Sequence, residues 1–124
     1  MIKDDLVFII DDDLMQNEIH SMLFNKIYPD VVVKIFTTYA EALLAMENQE
    51  LPVIIFLDLH IPQERETTFL EEHRNRGLTS DIYLMSSMDF IDEQGLISTY
   101  PAIVDFIRKP LLEDKIKHAF NHYA

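Results

Sequence analysis

VIIFLD, residues 53–58, is a run of five apolar residues that ends in a carboxylate. A strand that is buried on both faces has this continuous apolar pattern, which is typical of parallel sheets covered by helices. Three similar runs also lead to polar residues: LVFII precedes Asp11, IYLM precedes Ser86, and VDFI leads to Lys109-Pro110. Because parallel strands end at the same edge of a sheet, we expect these polar side chains to lie close together.

The rest of the chain predicts strands that alternate with helices. Strand-like runs begin near Leu6, Val31, Val53, Ile82 and Val104, and each is followed by a segment long enough for one helix. This order predicts an α/β fold with a doubly wound, five-stranded parallel sheet, strand order 2-1-3-4-5, flavodoxin-like with (βα)5 connectivity. The first and third strands would then be neighbours at the point where ligands bind such sheets.

Helical spacing and capping residues indicate where the helices lie. The first helix is predicted to bury Ile19, Met22, Leu23 and Ile27. Thr38 with Glu41 resembles a capping box for the second helix, Gly77 suits the end of the third, and Asp89 is a candidate cap for the fourth. The last helix is predicted to present Ile116, Ala119, Phe120 and Tyr123 on one face.

Length, charge and cysteine content restrict the class of protein. The 124 residues fit one domain, so residues 1–124 are expected to fold as a single unit. The net charge of −12 repels phosphate backbones and anionic lipids, so we expect no direct nucleic-acid binding and no membrane contact. No cysteine is present, the N-terminal MIKDD is not typical of a signal peptide, and no apolar run approaches ~20 residues. We therefore expect a cytoplasmic location.

The carboxylates at the strand ends predict a metal site and a nucleophile. Asp11, Asp12 and Asp58 would repel one another unless a cation balanced them, and oxygen ligands with room for water suit Mg²⁺. An Asp carboxylate can attack phosphorus to give an acyl phosphate, and Lys109 and Ser86 could bind the oxygens of the transferred group. No residue of this set supplies a general base for water, so the site is suited to holding a phosphoryl group.

With these residues the chain resembles the receiver domain of two-component response regulators over its whole length, in particular a stand-alone, chemotaxis-regulator-like receiver. The matching motifs are Asp11-Asp12, DLHIP at 58–62, Ser86-Ser87 and FIRKP at 106–110. The resemblance implies a phosphorylation-dependent signalling switch that accepts a phosphoryl group on Asp58 from a sensor histidine kinase or phosphotransfer protein, with Mg²⁺ as cofactor. The resemblance further implies that such a protein catalyses its own phosphoryl transfer and slow dephosphorylation without being a classical turnover enzyme.

The resemblance also implies a role for each site residue. Catalytic residues are Asp58, Ser86 and Lys109; metal ligands are Asp11, Asp12, Asp58 and the main-chain carbonyl of His60; switch residues are Ser86 and Phe106. The Lys109–Pro110 bond is expected to be cis. The downstream protein target is expected on the face made by the fourth helix, fifth strand and fifth helix, which could also form a homodimer. Met88 is expected to exclude the attacking water.

Several residues depart from the family pattern or have simpler interpretations. Glu66 stands where the family usually has a glycine, so the loop before it is expected to differ in conformation. Asp13 alone fits a helix cap. His118 and His122, spaced i, i+4, could share a metal, but a solvated helix face is the simpler interpretation.

Two other function classes compete with the switch. A Mg²⁺-dependent phosphatase with an Asp nucleophile could use a similar sheet, although such enzymes usually have a second Asp where His60 stands. A pseudo-receiver would bind partners without being phosphorylated, although the complete set of polar strand-end residues argues against it.

Overall fold

The computed structural model describes residues 5–87 and 93–123, and in them strands and helices alternate. The elements are β1 (Leu6–Ile10), α1 (Leu14–Ile27), β2 (Val32–Phe36), α2 (Tyr39–Glu47), β3 (Ile54–Asp58), α3 (Glu66–Asn75), β4 (Asp81–Ser86), α4 (Glu93–Thr99), β5 (Ile103–Arg108) and α5 (Glu113–Tyr123). Each strand begins within one residue of its predicted start. The predicted α/β class is therefore confirmed.

The five strands form one parallel sheet in the order β2-β1-β3-β4-β5, as predicted. The register pairs Ile10 of β1 with Leu57 of β3, so the next residues, Asp11 and Asp58, leave neighbouring strands at the same edge. β3 is buried at every position, whereas β2 and β5 at the sheet edges are partly exposed. This difference explains why the β3 sequence is a continuous apolar run.

Apolar layers cover both faces of the sheet. On one face, α2 and α3 contribute Tyr39, Met46 and Phe69 to the core. On the other face, α1 and α5 contribute Phe24 and Phe120, whose rings meet edge to face with centroids 5.8 Å apart. Because helices cover both faces, we expect ligands to bind outside the carboxyl ends of the strands, as they do in sheets of this kind.

The predicted buried face of α1 is half wrong. The fully buried residues of this helix are Asn17, His20 and Phe24, and Leu23 and Ile27 are half-buried against the same core. Ile19 and Met22, which were expected inside, have exposed fractions of 50% and 71%. Apolar residues occur all around α1, so spacing alone did not distinguish the two faces.

The helix ends follow the predicted capping residues where they are described. Thr38 accepts a hydrogen bond from the Glu41 N–H through Oγ1 at 3.1 Å, and Gly77 has a φ of 65° just beyond α3. Ile116, Ala119 and Phe120 are buried as predicted, and Tyr123 is half-buried. Asp89 and Met88 lie outside the described residues. Within the described ranges, no helix combines the length and the apolar character needed to cross a membrane.

Candidate functional site

Three carboxylates gather where β1 and β3 end. Asp11 follows β1 and is fully buried, Asp12 next to it is exposed, and Asp58 is the last residue of β3 with an exposed fraction of 3%. Each offers an oxygen, and these oxygens all lie within 4.8 Å of one another. We call these three residues the acidic cluster. It brings together the carboxylates that the sequence predicted would meet.

The main chain and α1 hold Asp11 in place. Its N–H donates to the Phe36 carbonyl of β2 at 3.0 Å, and its carbonyl accepts from the Asn17 side-chain amide at 2.7 Å. Its carboxylate Oδ1 accepts from the Asp13 N–H at 3.0 Å. Asp13 in turn caps α1, since its own Oδ1 accepts from the N–H groups of Met15 and Gln16. The predicted capping role of Asp13 is thereby confirmed.

Lys109 is the cation that faces the cluster. Its Nζ donates to Asp11 Oδ2 at 2.7 Å and lies 3.4 Å from Asp58 Oδ1. Burial lowers the pKa of Lys109, but the hydrogen bond to Asp11 and the charges of both carboxylates outweigh burial, so the pKa is raised. Lys109 is therefore fully protonated at neutral pH. The bond between Lys109 and Pro110 is cis, as expected.

The surroundings of Asp58 disfavour the charged form of its carboxyl group. Burial and the negative charge of Asp11 raise its pKa from 3.8 to about 6, although Lys109 and the His60 N–H act in the opposite direction. The His60 N–H donates to Asp58 Oδ1 at 3.3 Å. One lysine does not fully compensate two buried carboxylates. The site is suited to a further positive charge or to covalent modification of Asp58.

This donor set fits a hard divalent cation. Carboxylate oxygens are the ligands that Mg²⁺ prefers, and the site lies at an open sheet edge where water can complete the coordination. Among residues 5–87 and 93–123, the acidic cluster is the single group of three or more side chains that could hold a metal. His118 and His122 are both exposed and belong to no such group within those ranges, which favours the solvated helix face.

The ends of β4 and β5 complete the site. Ser86, the last residue of β4, is 1% exposed, and its carbonyl accepts from the Lys109 N–H at 2.8 Å. The Ser86 Oγ lies 3.1 Å from His60 Nε2. Phe106 on β5 is half-buried and packs against the core cluster on the α2 and α3 face. The predicted residues Asp11, Asp12, Asp58, His60, Ser86 and Lys109 therefore lie at the carboxyl edge of the sheet, whereas Phe106 lies two residues before the end of β5.

Curated proteins include relatives of this chain, although no family model matches it. A protein from Priestia megaterium named "Probable C4-dicarboxylate response regulator DctR" is 24% identical over 117 residues, which are 94% of this chain and 50% of that protein. Protein-glutamate methylesterase/protein-glutamine glutaminase 2 from Shewanella sp. strain MR-4 is 30% identical over 123 residues, covering 94% of this chain and 32% of the relative. The chain thus spans half or less of these relatives.

Solved structures share the whole fold. A two-component response regulator from Cytophaga hutchinsonii superimposes with a TM-score of 0.84 at 19% identity, covering 98% of both chains. A response regulator receiver domain (CheY-like) from Methylobacillus flagellatus gives a TM-score of 0.81 at 16% identity, covering 98% of this chain and 100% of that one. The chain resembles response regulator receiver domains in sequence and in fold. The resemblance inferred from the motifs is confirmed.

The loop between β3 and α3, residues 59–65, shows how this receiver-like chain accommodates Glu66. Glu66 is the first residue of α3 and is not among the described residues with a positive φ. The left-handed residue of the loop is Gln63, with a φ of 65°. Position 66 is therefore not strained, because the left-handed turn of this loop is made three residues earlier.

Three residues that sequence reasoning missed support the receiver-like site. Asn17 binds the Asp11 carbonyl, and the Tyr39 hydroxyl donates to the Asp58 carbonyl. Glu64, in the loop after β3, accepts from the N–H groups of Tyr39 and Ala40 at 2.8 and 3.3 Å, and so caps the start of α2. The sequence could have indicated Asn17, as a polar residue among the buried positions of α1, but it held no such signal for Tyr39 or Glu64.

Proposed function

We propose that this chain is a phosphorylation-dependent signalling switch that accepts a phosphoryl group on Asp58. The observation that carries the proposal is the state of Asp58: a buried carboxylate with a pKa raised to about 6, beside two further carboxylates and in an ion pair with Lys109. Relatives named as response regulators support the same class. We further propose that residues 1–124 act as a single receiver domain.

The transfer we propose exchanges one bond to phosphorus for another. A carboxylate oxygen of Asp58 attacks the phosphorus of a phosphohistidine, and an oxygen–phosphorus bond forms as the phosphorus–nitrogen bond breaks. The electron pair of the broken bond stays on the imidazole nitrogen. That nitrogen then takes up a proton, which gives the neutral histidine side chain of the donor. Charge builds on the equatorial phosphoryl oxygens, so the nearby cations and hydroxyl supply most of the rate.

Mg²⁺ is the proposed cofactor, held by Asp11, Asp12, Asp58 and the main-chain carbonyl of His60. When bound, it neutralises charge on the carboxylates and on the phosphoryl oxygens. The hydrogen bonds on Asp11 support different roles for Asp11 and Asp12 at the metal, because Oδ1 and Oδ2 of Asp11 already accept hydrogen bonds from the Asp13 N–H and from Lys109. The exposed carboxylate of Asp12 is therefore the better direct ligand.

Lys109 and Ser86 have proposed roles around the phosphoryl group. The ammonium of Lys109 lies 3.4 Å from the acceptor oxygen and is fully charged, so it can pair with an oxygen of the incoming group. Ser86 is the last residue of the neighbouring strand β4, and its buried hydroxyl can donate a hydrogen bond to another phosphoryl oxygen. We propose that Ser86 and the half-buried Phe106 change position together when Asp58 is modified, which carries the signal to the surface.

The proposed phosphodonor is a sensor histidine kinase or a phosphotransfer protein. Helix α1 begins directly after the acidic residues and exposes an apolar stripe of Leu14, Met15, Ile19 and Met22. Such a stripe beside a charged site is unusual for a solvated helix and suits a helical protein partner. We propose the α4-β5-α5 face for the downstream protein target, and a second copy of the chain could occupy the same face.

Intact mass spectrometry tests the proposed function. The protein is incubated with Mg²⁺ and acetyl phosphate, and its mass is recorded over time. We expect one phosphate adduct that is sensitive to hydroxylamine and is lost in Asp58→Asn, because the amide cannot attack phosphorus. Asp13→Asn is the matched control, since that carboxylate caps a helix and should leave uptake unchanged.

The other outcomes separate the competing classes. Rapid release of inorganic phosphate without an adduct would support a phosphatase. Neither adduct nor release would support a pseudo-receiver, and an adduct that persists in Asp58→Asn would assign the acceptor elsewhere.

A further inference from the structure

His60 contacts two groups of the proposed phosphorylation site, the carboxylate of Asp58 and the hydroxyl of Ser86. Its main-chain N–H donates to the acceptor carboxylate, Asp58 Oδ1, at 3.3 Å. Its side chain reaches across to β4, where Nε2 lies 3.1 Å from Ser86 Oγ. Ser86 is 1% exposed, whereas the His60 side chain is exposed. The imidazole therefore stands between solvent and the buried hydroxyl that is proposed to bind the phosphoryl group.

We propose that His60 is a positioning residue that latches Ser86 in the unphosphorylated protein, with Nε2 accepting a hydrogen bond from the Ser86 hydroxyl. The inference rests on the proposed function, since it concerns the same site. It assigns the His60 side chain a role separate from that of its main-chain carbonyl. The latch holds Ser86 until the phosphoryl group competes for it.

The competition follows from the hydroxyl's single proton. A phosphoryl group offers acceptor oxygens, so Ser86 must donate to it, and a serine hydroxyl has one O–H to give. If that proton is directed at Nε2, the hydroxyl must turn away from His60 before it can serve the phosphoryl group. The latch thus opposes phosphorylation, and it favours the unphosphorylated arrangement of β4.

The size of the effect is that of one neutral hydrogen bond. Breaking such a bond changes an equilibrium by roughly 2- to 10-fold, because its net contribution is small once water competes. The latch therefore adjusts the threshold for phosphorylation and does not block it.

A double-mutant cycle tests the latch. The initial rate of acyl-phosphate formation is measured by intact mass at saturating Mg²⁺ with acetyl phosphate. We expect His60→Phe to raise the rate roughly 2- to 10-fold, since phenylalanine keeps the ring but cannot accept the proton. His60→Gln, whose amide oxygen can still accept the proton, should raise the rate less than His60→Phe does. In the Ser86→Ala background, His60→Phe should have no further effect.

Contrary results are equally clear. The same fold-change from His60→Phe in both backgrounds would show that His60 acts on water or on the donor, and no change in either would remove it from the reaction. His118→Phe, which alters an exposed histidine on α5, controls for the loss of a surface imidazole. No adduct on the wild-type protein would overturn the proposed function and the latch together.

Nitrogen NMR of the histidine rings tests the hydrogen bond without phosphorylation. We expect His60 Nε2 to be unprotonated and to shift in Ser86→Ala, while the other four histidines stay unchanged. A protonated Nε2, or no shift in that variant, would overturn the latch even if Asp58 takes up phosphate normally.

Discussion

Lys109 is the residue on which the charge balance of the site depends. It is the cation that pairs with Asp11 and approaches Asp58, at 2.7 and 3.4 Å. A cation bound in the acidic cluster would lie close to the same carboxylates as Lys109. The positive charges of Lys109 and a bound Mg²⁺ would therefore repel each other. In the proposed switch, Lys109 would therefore bind the phosphoryl group at some expense to metal affinity.

Lys109→Ala separates these two roles. We expect Mg²⁺ to bind at least as tightly as in wild type, because one nearby positive charge is gone. The rate of acyl-phosphate formation should fall by roughly 10²-fold, the usual loss when one charged donor to a reacting oxygen is removed. Calorimetric titration with Mg²⁺ and intact mass with acetyl phosphate measure the two effects. Uptake at the wild-type rate would show that Lys109 does not assist the transfer.

The site could be predicted at the residue scale only where the main chain fixes the position of a residue. Asp11, Asp58, Ser86 and Lys109 lie at or just beyond strand ends, so the topology alone brings them to one edge. The contact between His60 Nε2 and Ser86 could not be predicted, because it depends on a side-chain rotamer and on the path of a loop. The hydrogen bonds from the start of α2 to the Glu64 side chain could not be predicted for the same reason.

At the scale of elements, strands were easier to predict than helix faces. A parallel strand buried on both faces has a continuous apolar sequence that allows one interpretation. An exposed helix normally reveals its inner face by polar residues outside, but α1 has apolar residues such as Met15 and Met22 on its exposed side. A polar residue, Asn17, lies on its inner side to bind Asp11. Apolar residues on the outer side of α1 and a polar residue on its inner side together obscured the pattern.

Two positions between β3 and the start of α3 give predictions of opposite sign, because glycine should stabilise the protein at one and destabilise it at the other. Gln63 has a φ of 65°, where a side chain is disfavoured, so Gln63→Gly should raise the free energy of unfolding by up to ~1 kcal/mol. Glu66 opens α3, so Glu66→Gly should lower it by about 1 kcal/mol through lost helix propensity and a lost favourable charge at the helix start. Urea unfolding of both variants measures the pair.

The sign of the Glu66→Gly effect decides which residue makes the turn. If this change stabilised the protein and Gln63→Gly destabilised it, the left-handed residue would lie at position 66 after all, in the position where glycine is usual.

At the scale of the whole molecule, the site exists only when the entire sheet is folded. Its groups come from the ends of β1, β3, β4 and β5, which are held together by apolar layers on both faces. Any titration that stabilises or destabilises the site therefore changes global stability through linkage. Buried acids and bases are both present, among them Asp58 at the end of β3 and the histidines His20 and His73 in the helices.

These buried groups have opposite effects on stability as the pH changes. Burial lowers the pKa of His20 and of His73, so the unfolded chain binds their protons more readily, and stability is lost as pH falls below 6.5. Burial and Asp11 raise the pKa of Asp58 from 3.8 to about 6. The folded chain therefore binds that proton more readily, and the stability it contributes is lost as pH rises through 6.

The dependence of stability on pH between 5 and 6.5 should therefore change in opposite directions in two variants. Each group alters the slope by at most about 1.4 kcal/mol per pH unit. We expect Asp58→Asn, measured by urea unfolding without divalent cations, to be more stable than wild type at pH 7 and to lose stability more steeply on acidification. His73→Phe should lose it less steeply, because one buried histidine no longer takes up a proton on unfolding. Groups common to all three proteins, such as Asp81, cancel in the comparison. Equal slopes in wild type and Asp58→Asn would show that the pKa of the Asp58 carboxyl is not raised in the folded protein, and the electrostatic basis of its proposed reactivity would be lost.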